Sequence, residues 1–305
     1  EGRSPSTMAG AGRFAPSPTG PLHLGSLLTA TASWLDARAS GRLWYLRFDD
    51  LDRDRTRPES IDEIQRSLEA HALYWDGPVR RQQLNLDAYL AALTELRARG
   101  HLFHCTCTRR ALPSGPYPGT CRKQRDRAHA GAWRFRVSSD GTVRFNDTLC
   151  GPQSLDVTST IGDFVVRRRD GIFAYALATA VDDGADDISH VIRGRDLLEH
   201  TAAQLLIMDA LGLSRPTYGH LPLIVNPAGQ KLSKQTFAAP LDPARALHNL
   251  RAVLKALGQA SADAPASRPE ALLATAQQAW DRSRVPQHDV LAAHVIDRES
   301  HPLLC

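Results

Sequence analysis

The stretch RFAPSPTGPLHLGS, residues 13–26, holds three prolines and two glycines around a single histidine. Proline fixes φ and lacks a backbone donor, and glycine permits conformations closed to other residues, so a buried helix or strand would not tolerate this composition. We therefore predict a rigid loop. The apolar spacing of the following residues, SLLTATASWLDARASG, predicts a helix with Ser26 as its cap and Gly41 as its stop.

The segments after this loop alternate between strand and helix patterns. Residues 43–48, LWYLRF, predict a short buried strand, and two amphipathic helices should follow. Strand-like runs return at WRFRV, DFVVRR, FAYALATAVDD and ISHVI, before a helix that ends at Gly212. The predicted buried faces of the two amphipathic helices are Ile61, Ile64 and Leu68 in the first, and Leu86, Leu90 and Leu93 in the second.

This alternation on both sides of an irregular segment predicts the fold class. It is typical of an α/β protein with a doubly wound parallel sheet, Rossmann-like, that is split by an insertion. We expect a disordered leader over residues 1–11, a main domain over 12–240 with its insertion at about 101–131, and a helical C-terminal region over 241–305. Within that region GQASADAPASRPE, residues 258–270, has the composition of a flexible linker.

Bulk composition narrows the function classes. The chain is 42% hydrophobic and 23% charged, and no apolar run approaches the ~20 residues of a membrane helix, which argues against a membrane role. The start lacks the apolar core of a secretory signal, so we expect a cytoplasmic protein, and we expect a monomer. The net charge of +4 does not identify a partner. The clusters RKQRDR (122–127) and RRR (167–169) fit either phosphate contacts or a solvated face.

Two stretches suit phosphate binding. A glycine-containing turn at a helix N-terminus offers backbone donors and a positive dipole to phosphates, although such a turn is often only a turn. The later stretch NPAGQKLSKQ, residues 226–235, sets Lys231 and Lys234 three residues apart in a loop. Two ammonium groups there could close over a polyphosphate and stabilise developing charge.

The five cysteines are an odd number, which argues against a disulfide framework and towards metal binding or free thiols. The segment CTCTRRALPSGPYPGTC offers three thiolates and a phenolate, a set that could form a closed tetrahedral zinc site. Free thiols are the alternative, and His101, His104 or a water could replace a ligand. Cys150 and Cys305 have no partners in the sequence. The four candidate zinc ligands are Cys105, Cys107, Tyr117 and Cys121.

The motifs also carry a family resemblance. PSPTGPLHLGS resembles the HIGH signature and KLSKQ the KMSKS signature of class I aminoacyl-tRNA synthetases, and RFAPSPTG and VIRGRDL resemble the glutamyl branch, over residues 13 to 235. The resemblance implies ATP-dependent activation of L-glutamate to glutamyl-adenylate and transfer of the acyl group to a tRNA hydroxyl. ATP would bring Mg²⁺ with it, although the sequence has no dedicated cage for that ion. The subfamily also has the cysteine spacing with its tyrosine, which implies one structural zinc per chain.

The resemblance assigns roles residue by residue. His23 and Ser26 would lie near the ATP phosphates, Gly25 would admit the adenine, and Lys231 and Lys234 would meet the phosphoryl charge. Where the family has RIED this chain has RFDD, so Asp49 is one methylene shorter than the expected glutamate, and its contact would run through water or be shared with Asp50. The implied glutamate-binding residues are Arg13, Phe14, Ala15, Pro16, Ser17, Asp49, Tyr175 and Arg193.

The length of the tail refines the resemblance. About 70 residues follow KLSKQ, too few for the large helical anticodon-binding region of glutamyl-tRNA synthetases. The chain thus resembles their truncated paralogues, which implies transfer of glutamate to queuosine at the wobble position of tRNA(Asp), with activation independent of tRNA. The partners would be ATP, L-glutamate and the anticodon stem-loop of tRNA(Asp). The alternatives are a minimal or fragmentary glutamyl-tRNA synthetase that charges the 3′ end of tRNA(Glu), and a catalytically silent module that binds tRNA or zinc.

Overall fold

The computed structural model describes residues 10–112, 114–123, 131–231 and 239–292. The predictions for Lys234, for Cys305 and for residues 1–9 concern residues outside these ranges. Its helices are α1 (Leu24–Ala39), α2 (Pro58–Ala70), α3 (Leu86–Ala98), α4 (Val157–Thr160), α5 (Tyr175–Ala185), α6 (Leu198–Leu211), α7 (Ala246–Ala256) and α8 (Pro269–Gln278). Its strands are β1 (Ala11–Phe14), β2 (Leu43–Phe48), β3 (Arg80–Arg81), β4 (Leu102–Cys105), β5 (Ala132–Phe135), β6 (Thr142–Asp147), β7 (Gly151–Asp156), β8 (Val165–Arg167), β9 (His190–Gly194), β10 (Thr217–Leu221), β11 (Ile224–Val225) and β12 (Val290–Leu291).

The main sheet is parallel and open. β1, β2 and β3 are parallel neighbours, and β6, β10 and β9 form a second parallel set that β7 extends as an antiparallel hairpin. The two sets meet where Ala11 pairs in parallel with Ile188 and the Ser189 N–H donates to the Ala11 carbonyl at 2.9 Å. The strand order is β3-β2-β1-β9-β10-β6. The strands stay parallel between β1 and β9, but the chain winds outward in opposite directions on the two sides of this junction. This is a Rossmann-like arrangement, as the alternating sequence pattern predicts.

A small antiparallel sheet lies apart from the parallel one. β5 pairs with both β4 and β8, in the order β4-β5-β8. The runs WRFRV and DFVVRR therefore do not extend the parallel sheet, contrary to the sequence prediction. Short apolar runs indicate a strand but not its partners, because hydrophobic periodicity carries no information on which strand lies alongside.

The run FAYALATAVDD is a helix, so the strand predicted there is wrong. Its residues form α5, which is buried on several faces, from Ala176 to Ala180 and again at Asp182 and Asp183. A helix buried all round shows no polar face, and a short apolar run then resembles a buried strand. Alanine, the best helix former, recurs through the segment and decides the outcome.

The first helices agree with prediction only in part. In α2 the predicted face is correct, since Ile61, Ile64 and Leu68 are buried. In α3 the predicted face is wrong for two of its members, because Leu86 and Leu90 are exposed. The face that packs inward is instead Tyr89, Ala92, Leu93 and Leu96.

The predicted flexible linker is a packed segment. Residues 260–263 form a turn of 3₁₀ helix in which Ser261 and Ala262 are buried. Arg251 on α7 donates from its guanidinium to the carbonyls of Ala262 at 2.6 Å and Ala264 at 2.9 Å. Because these carbonyls accept from a charged side chain, the small polar residues that suggested a linker are held against α7. None of the helices in the described ranges has the length and apolar character that a membrane span requires.

Candidate active site

The proline-rich loop leads from β1 into the first turn of α1. The helix is capped by His23, whose Nδ1 accepts the Ser26 N–H at 3.2 Å, so the prediction of Ser26 as the cap is wrong. The imidazole supplies the acceptor that the free N–H groups of a first turn require. The His23 Nε2 lies 3.1 Å from Ser26 Oγ, which orients both polar side chains of the turn. The Pro16 carbonyl accepts the Asp49 N–H at 3.1 Å and thereby fixes the loop to the end of β2.

A cavity of about 410 Å³ lies at the carboxyl ends of β1 and β9. In open α/β sheets this is where ligands bind, because the order of the strands reverses there. The loop forms one wall, and Asp196 and Leu223 lie on the opposite side. Of the residues that the sequence singled out, the cavity brings together Arg13, Phe14, Ala15, Pro16, Ser17, His23, Gly25, Ser26, Tyr175, Arg193 and Lys231.

Lys231 lines this cavity next to Asp196, on the side opposite the proline-rich loop. Its Nζ donates to Asp196 Oδ2 at 2.5 Å, and both side chains are partly exposed. The pair therefore sits at the mouth of the cavity and not in its depth. Lys234 lies outside the described residues, so its position relative to Lys231 stays a prediction.

Asp49 faces a second cavity, of about 920 Å³, which adjoins the first. Ser17 and Tyr175 line both cavities and form the boundary between them. The Asp49 carboxylate accepts from Arg47 Nε at 2.9 Å, and burial raises its pKa in spite of that arginine. Asp50, which the sequence offers as a residue that shares the role of Asp49, is fully buried and accepts from Arg81 Nε and from the Gln83 N–H, both at 2.9 Å. The structure therefore holds Asp50 away from the cavity wall.

A buried ionic network supports Arg13. Its Nε and Nη2 donate to the two carboxylate oxygens of Asp183 at 3.2 and 3.1 Å, and Arg47 Nη1 donates to the same carboxylate at 2.6 Å. Burial alone would raise the pKa of Asp183, but the two guanidinium groups hold it at about 2. Sequence reasoning missed Arg47 and Asp183. The one signal for them was polar and charged residues inside otherwise apolar patterns, in LWYLRF and ALATAVDD.

Arg193 is surrounded differently. It is 3% exposed, and among the described residues no carboxylate contacts its guanidinium. A buried charge without a counter-ion is costly, and a ligand carboxylate that enters the first cavity would provide one in a geometry suited to arginine. The neutral acceptors around it are His220 Nε2 at 3.1 Å, Tyr175 Oη at 3.3 Å, Gln204 Oε1 at 3.0 Å, the Leu197 carbonyl at 3.3 Å and Thr201 Oγ1 at 2.7 Å.

A separate cluster lies beside β4. The Sγ atoms of Cys105, Cys107 and Cys121 all lie within 4.8 Å of one another, with 3.6 Å between Cys107 and Cys121. The Tyr117 Oη lies 3.4 Å from Cys105 Sγ and 3.8 Å from Cys107 Sγ. A tetrahedral zinc ion with Zn–S bonds of about 2.3 Å would separate its ligands by about 3.8 Å. The four groups that the sequence predicted therefore fit a metal site.

The side chains of this cluster differ in how readily they lose a proton. Burial would raise the pKa of Cys121, but hydrogen bonds from Tyr117 and from the backbone hold it at about 7. Burial raises the pKa of Cys107 and of Tyr117. The alternative ligands His101 and His104 are engaged elsewhere, since the first stacks on Phe135 and the second contacts Trp133 edge-on.

The first basic cluster is described only at Arg122 and Lys123, because its residues 124–127 lie outside the described ranges. Arg122 forms an ion pair with Asp163, to which its Nε and Nη2 both donate at 2.5 Å. Arg168 and Arg169, by contrast, line the second cavity, where Arg168 pairs with the exposed Asp170 at 2.6 Å. An exposed pair of this kind is weak and readily exchanged for a phosphate contact.

An open parallel sheet, a glycine-containing turn at a helix N-terminus and a lysine across the cavity are typical of α/β enzymes that bind nucleotides. The family model for class I tRNA synthetases (E and Q), catalytic domain, matches residues 11–115 and 118–247. The chain therefore belongs to the class I tRNA synthetase family, and it is an ATP-dependent ligase with a glutamyl-tRNA synthetase-like function.

Curated relatives and solved structures agree with this assignment. A glutamyl-Q tRNA(Asp) synthetase from Thiobacillus denitrificans (strain ATCC 25259 / T1) is 46% identical over 92% of this chain and 96% of its own length. Another from Methylococcus capsulatus (strain ATCC 33009 / NCIMB 11132 / Bath) is 46% identical over 90% and 92%. The crystal structure of a glutamate-tRNA synthetase from Elizabethkingia anophelis superposes with a TM-score of 0.78 at 26% identity, covering 93% of this chain and 68% of that one.

Proposed function

We propose that this enzyme activates L-glutamate with ATP and transfers the glutamyl group to queuosine at the wobble position of tRNA(Asp). The observation that carries the proposal is Arg193, a buried guanidinium with neutral partners that faces the cavity at the N-terminal turn of α1. It gives a reason for a dicarboxylic amino acid to bind beside ATP. The names of the curated relatives, which describe a glutamyl-Q tRNA(Asp) synthetase, support the choice of acceptor.

Activation would take place in the first cavity. The α-carboxylate of glutamate attacks the α-phosphate of ATP, a new P–O bond forms, and pyrophosphate leaves with its Mg²⁺. The chain needs no nucleophile of its own, because positioning and charge stabilisation are sufficient. His23, Gly25 and Ser26 would hold ATP at the N-terminus of α1, and Lys231 and Lys234 would offset the charge that develops on the phosphates.

Glutamate would lie at the boundary of the two cavities. Arg193 would bind its side-chain carboxylate, next to the Tyr175 hydroxyl. Asp49 would meet its ammonium group, directly or through a water, because the side chain is short. The residues of the loop, from Arg13 to Ser17, would form the remaining wall.

Transfer would take place from the second cavity. A hydroxyl of the queuosine ring attacks the acyl carbon of the adenylate, the ester C–O bond forms, and AMP leaves. A space of about 920 Å³ is ample for one extruded nucleoside, and Arg168 and Arg169 on its wall suit flanking phosphates. The shared boundary at Ser17 and Tyr175 would let one adenylate be formed from one side and attacked from the other.

Zinc would serve structure and not chemistry. We propose that Cys105, Cys107, Tyr117 and Cys121 hold one ion, which would tie the end of β4 to the segment that leads towards β5. Zinc bound there would favour the deprotonated forms of these groups. The basis is the spacing of the four groups given above.

The test of this function is to locate the transferred label. Radiolabelled glutamate and ATP are supplied with tRNA(Asp) that contains queuosine, with tRNA(Asp) that lacks it or with tRNA(Glu), and each product is digested with nuclease. We expect label on the queuosine nucleotide alone, and none on the tRNA that lacks queuosine. Label on the 3′-terminal adenosine of tRNA(Glu) would contradict the proposal in favour of a minimal glutamyl-tRNA synthetase. No glutamate-dependent reaction at all would favour a silent binding module.

A further inference from the structure

Three polar side chains lie at the carboxyl edge of three neighbouring strands. Asp147 ends β6, His220 is near the end of β10, and Arg193 is near the end of β9. His220 is in register with Arg193, and Tyr218, two residues earlier on β10, is in register with Asp147. The sheet therefore aligns an acid, an imidazole and a guanidinium in one row that leads from the interior to the first cavity.

The hydrogen bonds in this row have a defined direction. Asp147 Oδ1 accepts from the N–H groups of Leu149 at 2.9 Å, Cys150 at 2.8 Å and His220 at 3.1 Å. Its Oδ2 lies 2.5 Å from His220 Nδ1. Because an ionised carboxylate can only accept, and hydrogen bonds lower the pKa of Asp147, the Nδ1 of His220 must carry the proton. The opposite nitrogen, Nε2, can then accept from Arg193 Nε, and it also lies 3.1 Å from Thr201 Oγ1, the same distance as from Arg193 Nε.

We propose that Asp147 and His220 are positioning residues that hold the Arg193 fork towards the glutamate side-chain carboxylate. Both side chains are fully buried, so neither touches a ligand, and they act through Arg193. The inference rests on the glutamate activation proposed above.

The function of this row depends on the position of Asp147, which acts on Arg193 through His220 and not by direct contact. Asp183 contacts Arg13 directly and occupies two of its nitrogens. Asp147 stands behind a neutral imidazole instead, so that its charge partly offsets that of Arg193 while the guanidinium keeps neutral neighbours. A ligand carboxylate then meets no competing carboxylate. This arrangement explains how a buried arginine can be both stable in the free enzyme and receptive to an anionic substrate.

The first test is Asp147→Asn in glutamate-dependent pyrophosphate exchange. The asparagine can accept from the backbone with its oxygen and donate from its amide to His220 Nδ1, which moves the proton to Nε2, against the Arg193 N–H. We expect the KM for glutamate to rise about tenfold or more, as for loss of a hydrogen bond to a charged group, with kcat and the KM for ATP changed less than about twofold. An unchanged KM for glutamate would overturn the positioning role.

A second variant separates positioning from general damage. In His220→Gln the amide oxygen can accept from Arg193 whatever occupies position 147, so the rise in KM should be smaller than in Asp147→Asn. The double variant should be no worse than His220→Gln alone, because the tautomer no longer matters. If the rise in the KM for glutamate in the double variant equals the product of the two single rises, the two residues act independently and the mechanism is overturned.

The tautomer itself gives a readout that does not need activity. In protein labelled with ¹⁵N-histidine, we expect the His220 ring to be protonated at Nδ1 in the parent and at Nε2 in Asp147→Asn, with the signal assigned by its loss in His220→Gln. Nε2 protonation in the parent would overturn the inference. A parent that shows this tautomer but no exchange activity would instead contradict the proposed function.

Discussion

At the scale of single residues, the charge network under the first cavity combines stability and function. Asp183 is fully buried between Arg13 and Arg47 and accepts from both. Buried charges are tolerated only when they are paired with good geometry, and removal of one partner leaves the others unpaired. Arg47 also binds Asp49, so the same network positions residues on the walls of both cavities.

This network predicts a large loss of stability in Asp183→Asn. Two guanidinium groups would lose their shared counter-ion, so we expect the free energy of unfolding to fall by about 3–5 kcal/mol. Denaturant titration measures it. The matched control is Asp209→Asn, which breaks an exposed pair with Arg215 and should cost about 0–1 kcal/mol. Equal losses in the two variants would contradict the argument.

The same residue gives the network a pH dependence. The folded pKa of Asp183 is about 2, below the ordinary carboxyl value of about 3.9. Its stabilising contribution is therefore present above pH 4 and is lost as the pH falls towards 2. The parent should lose more stability over this range than Asp183→Asn.

The sequence predicted the single residues that belong to a motif. It missed the residues that pair with them or with one another from distant parts of the chain. The loop motif placed Arg13 on the cavity, but Asp183 lies 170 residues away along the chain. His220 and Asp147 are separated by 73 residues and meet because β6 and β10 are neighbours. No local pattern encodes which strands adjoin, so the partners could not be derived from spacing.

At the scale of elements, the helices show where periodicity succeeds and fails. The face of α2 was predicted correctly because its polar side is continuous, while α3 carries leucines on both sides. Leu84, Leu86 and Leu90 remain exposed, and Leu86 and Leu90 border a cavity of about 560 Å³ beside Phe173. The packed 258–270 segment was missed for a different reason. Its order comes from contacts with Arg251 on the preceding helix and not from its own composition.

The cysteine cluster is the element whose stability we expect to depend on a metal. Purified protein should hold about one equivalent of zinc, and Cys107→Ser should lose it, because the thiolate is a ligand that a hydroxyl replaces poorly. Metal analysis and limited proteolysis between β4 and β5 measure the two effects. Cys150→Ser is the control and should keep its zinc, since Cys150 Sγ contacts the His220 carbonyl instead. If the parent protein contains no zinc after preparation without chelators, the zinc proposal is wrong and the three cysteines are ordinary free thiols.

At the scale of the whole molecule, the two cavities divide the proposed reaction. The first is enclosed by the loop, the strand ends and Lys231, while the second opens between the small antiparallel sheet and the residues after β2. They share Ser17 and Tyr175 and differ in all their other lining residues. The proposed subsites for ATP and glutamate therefore require no nucleic acid in the second cavity.

This division predicts that activation is independent of tRNA. Arg193, the loop and the N-terminus of α1 are assembled within the free chain by contacts between its own residues, such as those from Arg193 to Gln204 and Thr201. No nucleic acid is needed to order them, so glutamate-dependent exchange of pyrophosphate into ATP should proceed without tRNA. We expect added tRNA(Asp) to change the exchange rate by less than about tenfold, an effect worth under about 1.4 kcal/mol. Exchange that appears only when tRNA is added would mean that the glutamate site is incomplete in the free enzyme, and would favour a glutamyl-tRNA synthetase that reads its tRNA before activation.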